Sequence, residues 1–304
     1  MPVLRLNATA EGLHPHRSRS CPHTMLKNAA RGAGPIIVMV HGFKYLPGDP
    51  AHCPHQSIFA QTQAHATTWL PHLGFGSGSA QDGLALAFGW DARGLLWDVH
   101  TQARHAGRAL GRTIGDLKSA APHRPLHIIT HSMGSEVALE ALRHLPAHSV
   151  DRVVTLTAAS YQGAAEAALA APAGRTCELI NVVSRENDVF DVMYEMLITP
   201  DRRGDRAMGS GLSAPNAVTI QIDCPQTLRA LTRFSGPIAA PSRRICHWSA
   251  YTRPGLLGFY NALLRTPSRV PLSALPRANS RRFSRLFAVP RVTSHLPGAM
   301  KGAS

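Results

Sequence analysis

At 304 residues and 44% hydrophobic content, the chain is long enough for one large α/β domain with a full core. No apolar stretch approaches the roughly 20 residues that cross a bilayer as a helix, which argues against a transmembrane segment. The formal net charge of +14 is concentrated toward the end, where seven Arg, one Lys and no acid fall from Arg265 onward.

The opening "MPVLRLNATAEG" lacks a charged segment leading into a long apolar run, so no secretory signal is expected. Five scattered cysteines without CxxC spacing read as reduced thiols, and both features together imply a cytoplasmic location.

In chain order, residues 3–8 form an opening strand and 11–34 a His-, Ser- and Gly-rich stretch of turns or a hairpin. The continuous apolar runs at 34–43 and 83–90 predict buried strands. Leu96, Val99, Ala103, Ala106, Leu110, Ile114 and Leu117 recur at helical spacing. "LHIITHSMGSEVALEAL" (126–142) passes from a β-branched strand into a helix. Further strands lie at 151–159, 177–184 and 217–223, with helices at 163–171 and 251–264. Strands that are apolar throughout and alternate with helices predict a mostly parallel sheet with helices on both faces. The domain is expected to span 1–265, with a basic, Pro- and Ser-rich tail at 266–304 that is disordered or loosely docked.

In such sheets active sites gather beyond the carboxyl ends of the strands. Ser132 stands at the sharp turn between strand and helix, with Gly134 two residues on. That turn lifts a serine hydroxyl above the sheet edge, although a serine there also suits a plain helix N-cap. A serine needs a histidine to take its proton, and the histidine needs an acid to fix its tautomer. In the fold built on this elbow the order is Ser, acid, His. After the second strand downstream, "INVVSRENDVFD" offers Asp188, with Asp191 one helical turn further and Glu186 as a third choice. Asp188 is preferred because it lies in the loop directly after the strand, where it also fits a helix N-cap. The histidine is His247 in "RRICHWSAYTRPG", since His295 lies in the tail. Backbone N–H groups of Met133, after the nucleophile, and Phe43, after "HG" at the end of an earlier strand, would form the oxyanion hole.

These parts together resemble an α/β-hydrolase of the serine esterase/lipase group. The matching motifs are "HGF", "THSMG", "END" and "HWS", and the resemblance covers roughly residues 3–265. The chain also resembles a bacterial subgroup carrying "FGWDARG" and "WSAYTRPG". Thr130 replaces the glycine usual at the elbow, and the excursion at 199–212 matches no family role. The implied activity is hydrolysis of a small-molecule acyl ester through Ser132, His247 and Asp188, with no cofactor. The same residues would serve a thioesterase or acyltransferase. A noncatalytic polyanion-binding protein acting through the tail is the rival of another class, yet no nucleic-acid-binding module is recognisable. His52, Cys53 and His55 resemble metal ligands in type, but spacing this tight suits a loop, so no metal is expected.

Overall fold

The computed structural model describes residues 3–61 and 67–278. Among these residues eight strands form one sheet: β1 Val3–Thr9, β2 Gly12–Pro15, β3 Ile36–Val40, β4 Leu84–Trp90, β5 Leu126–His131, β6 Arg152–Leu156, β7 Glu178–Val183 and β8 Ala217–Gln221. Their order is β2-β1-β4-β3-β5-β6-β7-β8. Among the strand pairs of the described residues, only the β1–β2 hairpin is antiparallel and the rest are parallel.

Ten helices accompany the strands among the described residues. The first five are α1 Pro22–Ala30, α2 Trp69–His72, α3 Leu96–Ala120, α4 Gly134–Arg143 and α5 Gln162–Ala170. The rest are α6 Pro172–Thr176, α7 Asp188–Leu197, α8 Pro225–Ser235, α9 Ser249–Thr252 and α10 Leu256–Arg265.

The apolar strands are buried on both faces because successive side chains point to opposite sides. Ile36, Val38, Val40, Leu86 and Phe88 join one core with α3 and α4. Ile37, Met39, Ala85 and Ala87 join a second core with α2, α8 and α10. This is the doubly covered parallel sheet expected from the sequence. Two features differ. The stretch after β2 contains α1, whose fully buried residues are only Leu26 and Ala30, too sparse a pattern to stand out. The single helix expected at 251–264 is two, because Pro254 and the left-handed Gly255 (φ 90°) break it.

The packing does not stop at residue 265. Val270 and Leu275 are buried, the Ala278 N–H donates to Thr219 O at 2.8 Å, and Arg152 reaches Leu263 O and Pro267 O. Residues 266–278 therefore pack as part of the domain, beyond the expected boundary. The remainder of the expected tail, 279–304, lies outside the described residues.

Candidate active site

Ser132 comes directly after β5 and adopts φ 53°, a left-handed conformation that is strained for any residue but glycine. The strain is held by backbone bonds on both sides. The Ser132 N–H donates to Leu156 O at 3.0 Å, and its carbonyl accepts from Ser135 and Ala159. Gly134 is required by close approach: a Cβ there would lie 2.5 Å from His41 O. Thr130, in place of the usual elbow glycine, is accommodated by burial and by a 2.9 Å hydrogen bond between its hydroxyl and that of Ser135.

The loop after β3 lies against the serine, since a Cβ on Gly42 would stand 2.7 Å from Ser132 Cβ. His41 anchors this loop. Its Nε2 accepts the Trp90 N–H at 3.1 Å, its Nδ1 donates to Gly42 O at 3.0 Å, and its ring stacks on Trp90. Burial pushes its pKa down to about 3, which keeps the ring neutral and the tautomer fixed. Lys44 takes φ 75° and donates its N–H to Ala92 O, turning the chain away. Among the described residues, no internal hydrogen bond occupies the Phe43 or Met133 N–H.

His247 comes from the segment between α8 and α9. Its carbonyl accepts from His131 Nε2 at 3.0 Å and from Thr157 Oγ1 at 3.1 Å, which fastens it to the ends of β5 and β6. Thr157 is itself left-handed, φ 43°. The His247 ring lies 4.6 Å from the His131 ring and 4.7 Å from Phe190. Burial, and then His131, holds its pKa well below the ordinary histidine value.

The side chain that meets His247 Nδ1 is an amide. His247 Nδ1 meets Asn187 Oδ1 at 2.6 Å, and no hydrogen bond joins it to Asp188. The reason is local. Arg185–Asn187 form a single 3₁₀ turn, in which neighbouring side chains point about 120° apart. Asn187 thus faces the imidazole while Asp188, opening α7, does not. Burial and then the nearby Asp223 push the Asp188 carboxyl up to about 6. Glu186 is occupied by a buried ion pair with Arg253 and by the Ser184 hydroxyl. Asp191 accepts from Asn187 Nδ2 at 3.0 Å. A search for a carboxylate passes over Asn187, although its place between strand and helix in "END" marks it equally well.

The three residues that resemble metal ligands in type go separate ways. His52 meets Asp49, His55 meets Asn7 Oδ1 at 2.7 Å, and Cys53 Sγ accepts the Gly48 N–H. The large exposed hydrophobic side chains among the described residues fall in three segments beyond the strand ends. They are Leu95 and Trp97 before and in α3, Met193, Met196 and Leu197 on α7, and Ile245 and Trp248 beside His247.

The family described as "Alpha/beta hydrolase of unknown function (DUF900)" matches residues 20–173, which include the Gly42 loop and the Ser132 elbow but not Asn187 or His247. No curated protein matches the chain. With half of the chain matched and a mostly parallel eight-stranded sheet flanked by helices, the protein belongs to this α/β-hydrolase family.

Proposed function

We propose that the chain is a serine hydrolase that cleaves carboxylic esters bearing an apolar acyl group. The observation that carries this reading is Ser132 itself, strained at φ 53° with the Gly42 loop against it. Such strain is retained where it positions a reacting group.

In this reading Ser132 Oγ attacks the acyl carbon while His247 Nε2 takes its proton. The oxyanion accepts from the Phe43 and Met133 N–H groups. The C–O bond then breaks, and the leaving alkoxide receives the proton from His247. Water attacks the acyl-enzyme, gives its proton to His247, and the acid departs as Ser132 recovers that proton. Asn187, by accepting the Nδ1–H, leaves Nε2 as the base. Free thiols at all five cysteines fit a reducing, cytoplasmic setting.

The apolar rim supports an acyl group of some length, because Phe190 touches both His247 and Trp248. Burying each further methylene is worth about 0.8 kcal/mol, or roughly fourfold in kcat/KM. Hydrolysis of p-nitrophenyl esters of increasing acyl length tests the reading. The expected result is a rising kcat/KM that Trp248→Ala flattens; no turnover of any ester contradicts it.

A further inference from the structure

The residue touching His247 Nδ1 carries no charge. Asn187 fixes the tautomer, but it offers nothing to balance the imidazolium formed when the serine loses its proton. A carboxylate stands directly behind it. Asp191 Oδ1 lies 3.0 Å from Asn187 Nδ2, on the far side of the amide from His247. When ionised, the Asp191 carboxylate only accepts hydrogen bonds. It then holds the Nδ2 donor toward itself and Oδ1 toward the imidazole.

The placement of Asp191 is built. A Cβ on Gly209 would overlap its carboxylate, so only glycine fits there. Gly209 belongs to the 199–212 excursion, and that segment is fastened at several points. The Met208 N–H donates to Ser160 O, the Met208 carbonyl accepts from Asn181 Nδ2, and the Ala207 N–H donates to Glu195. The excursion that matched no family role is thereby the wall that seats Asp191.

We infer that Asp191 is the charge-bearing acid of this site and acts on His247 through the Asn187 carboxamide. The inference rests on the serine-hydrolase reading. Asp191 is a positioning residue: it touches neither substrate nor imidazole, and no proton crosses the amide. In a low-dielectric site hydrogen-bonded groups polarise one another, so the anion strengthens the Asn187 acceptor where imidazolium develops. Burial, with Asp188 and Glu195 on the same helix, raises the Asp191 carboxyl against the Asn187 amide and Arg206 of the excursion, so the charge acts on His247 more fully as pH rises. His247 feels the His131 ring.

The test is the pH dependence of kcat/KM for p-nitrophenyl butyrate between about pH 5 and 9, which reports the ionisations of the free enzyme. Wild type, Asp191→Asn and the swap Asn187→Asp with Asp191→Asn are compared. Asp191→Asn is expected to lose on the order of 10²-fold. Its acid limb moves to lower pH, because a lost anion no longer favours the protonated imidazole. The swap places a carboxylate directly on His247 and restores both the rate, to within about tenfold, and the limb. A wild-type rate in Asp191→Asn, a fall with an unmoved acid limb, or a swap as slow as Asp191→Asn overturns the inference.

Should Asp191→Asn fold poorly, wild type carries the test through the downfield Nδ1 proton resonance of His247. That resonance is expected to track a carboxyl ionisation above the ordinary range; a resonance unmoved by pH overturns the relay. Fluorophosphonate labelling separates the two claims. If wild-type Ser132 is not labelled, the hydrolase reading fails and the relay with it. If Ser132 is labelled and the pH profiles coincide, only the relay fails.

Discussion

Asn187 Oδ1 lies 2.6 Å from His247 Nδ1, so an amide occupies the position at which a carboxylate was expected. Asp188, its neighbour in the chain, makes no hydrogen bond to His247, and burial and then the charge of Asp223 raise its carboxyl. Asn187→Ala is therefore expected to lower kcat by about 10³ or more through loss of the tautomer-fixing acceptor. Asp188→Asn leaves the rate within a few-fold. Reversed results in the ester assay place the acid back at Asp188.

Asp188 carries a second expectation. Its folded pKa of about 6 lies above its unfolded value, so it favours the folded state below about pH 4 and that contribution is lost as pH rises through 6. Asp188→Asn consequently raises the urea midpoint at about pH 8 relative to wild type and leaves it unchanged near pH 4. A midpoint difference that does not depend on pH contradicts this origin of the raised carboxyl.

Buried neutral histidines make the fold sensitive to acid. Burial depresses His41 to about 3, His131 and His127 to about 4, and His55 to about 2. In the unfolded chain each titrates near 6.5. Folded pKa values below the unfolded ones give stability that is present above about pH 6.5 and lost as pH falls toward 4. The urea midpoint is expected to drop steeply between about pH 7 and 5, well before ordinary carboxylates protonate. A flat profile over that window contradicts it.

The sheet was legible because its strands carry an unambiguous signal. "IIVMV" and "LALAFGW" are apolar at every position, as burial on both faces demands. The sharp turn at Ser132 and the close approach of Gly42 were legible because a strained elbow and a close backbone approach tolerate few residue types, whereas His247 was chosen by its place after the last strand. Asn187 was not, since its role depends on which way a 3₁₀ turn points its side chains, and one residue along the turn changes the facing completely. The same limit hid the end of the domain. Val270 and Leu275 are isolated apolar residues in a Pro- and Arg-rich stretch, and only the pockets that receive them show that they are core.

Two truncations separate the docked segment 266–278 from the residues beyond it. Ending the chain after residue 278 is expected to leave Tm unchanged within a few degrees. Ending it after residue 265 exposes the sites of Val270 and Leu275. At about 1.5–3 kcal/mol for each fully buried side chain, that loss lowers Tm by roughly 5 °C or more. Equal Tm values for the two truncations contradict the packing described for 266–278.

The central claim is that Ser132 is the nucleophile, and covalent capture tests it most directly. The purified full chain is treated with a fluorophosphonate and the modified peptide is identified by mass spectrometry. One adduct is expected, on Ser132 in "THSMG", formed only by folded protein. Ser132→Ala is expected to abolish both the adduct and ester turnover, a loss on the order of 10⁶ in kcat. An adduct on another residue, or a Ser132→Ala rate within about tenfold of wild type, removes Ser132 from the mechanism.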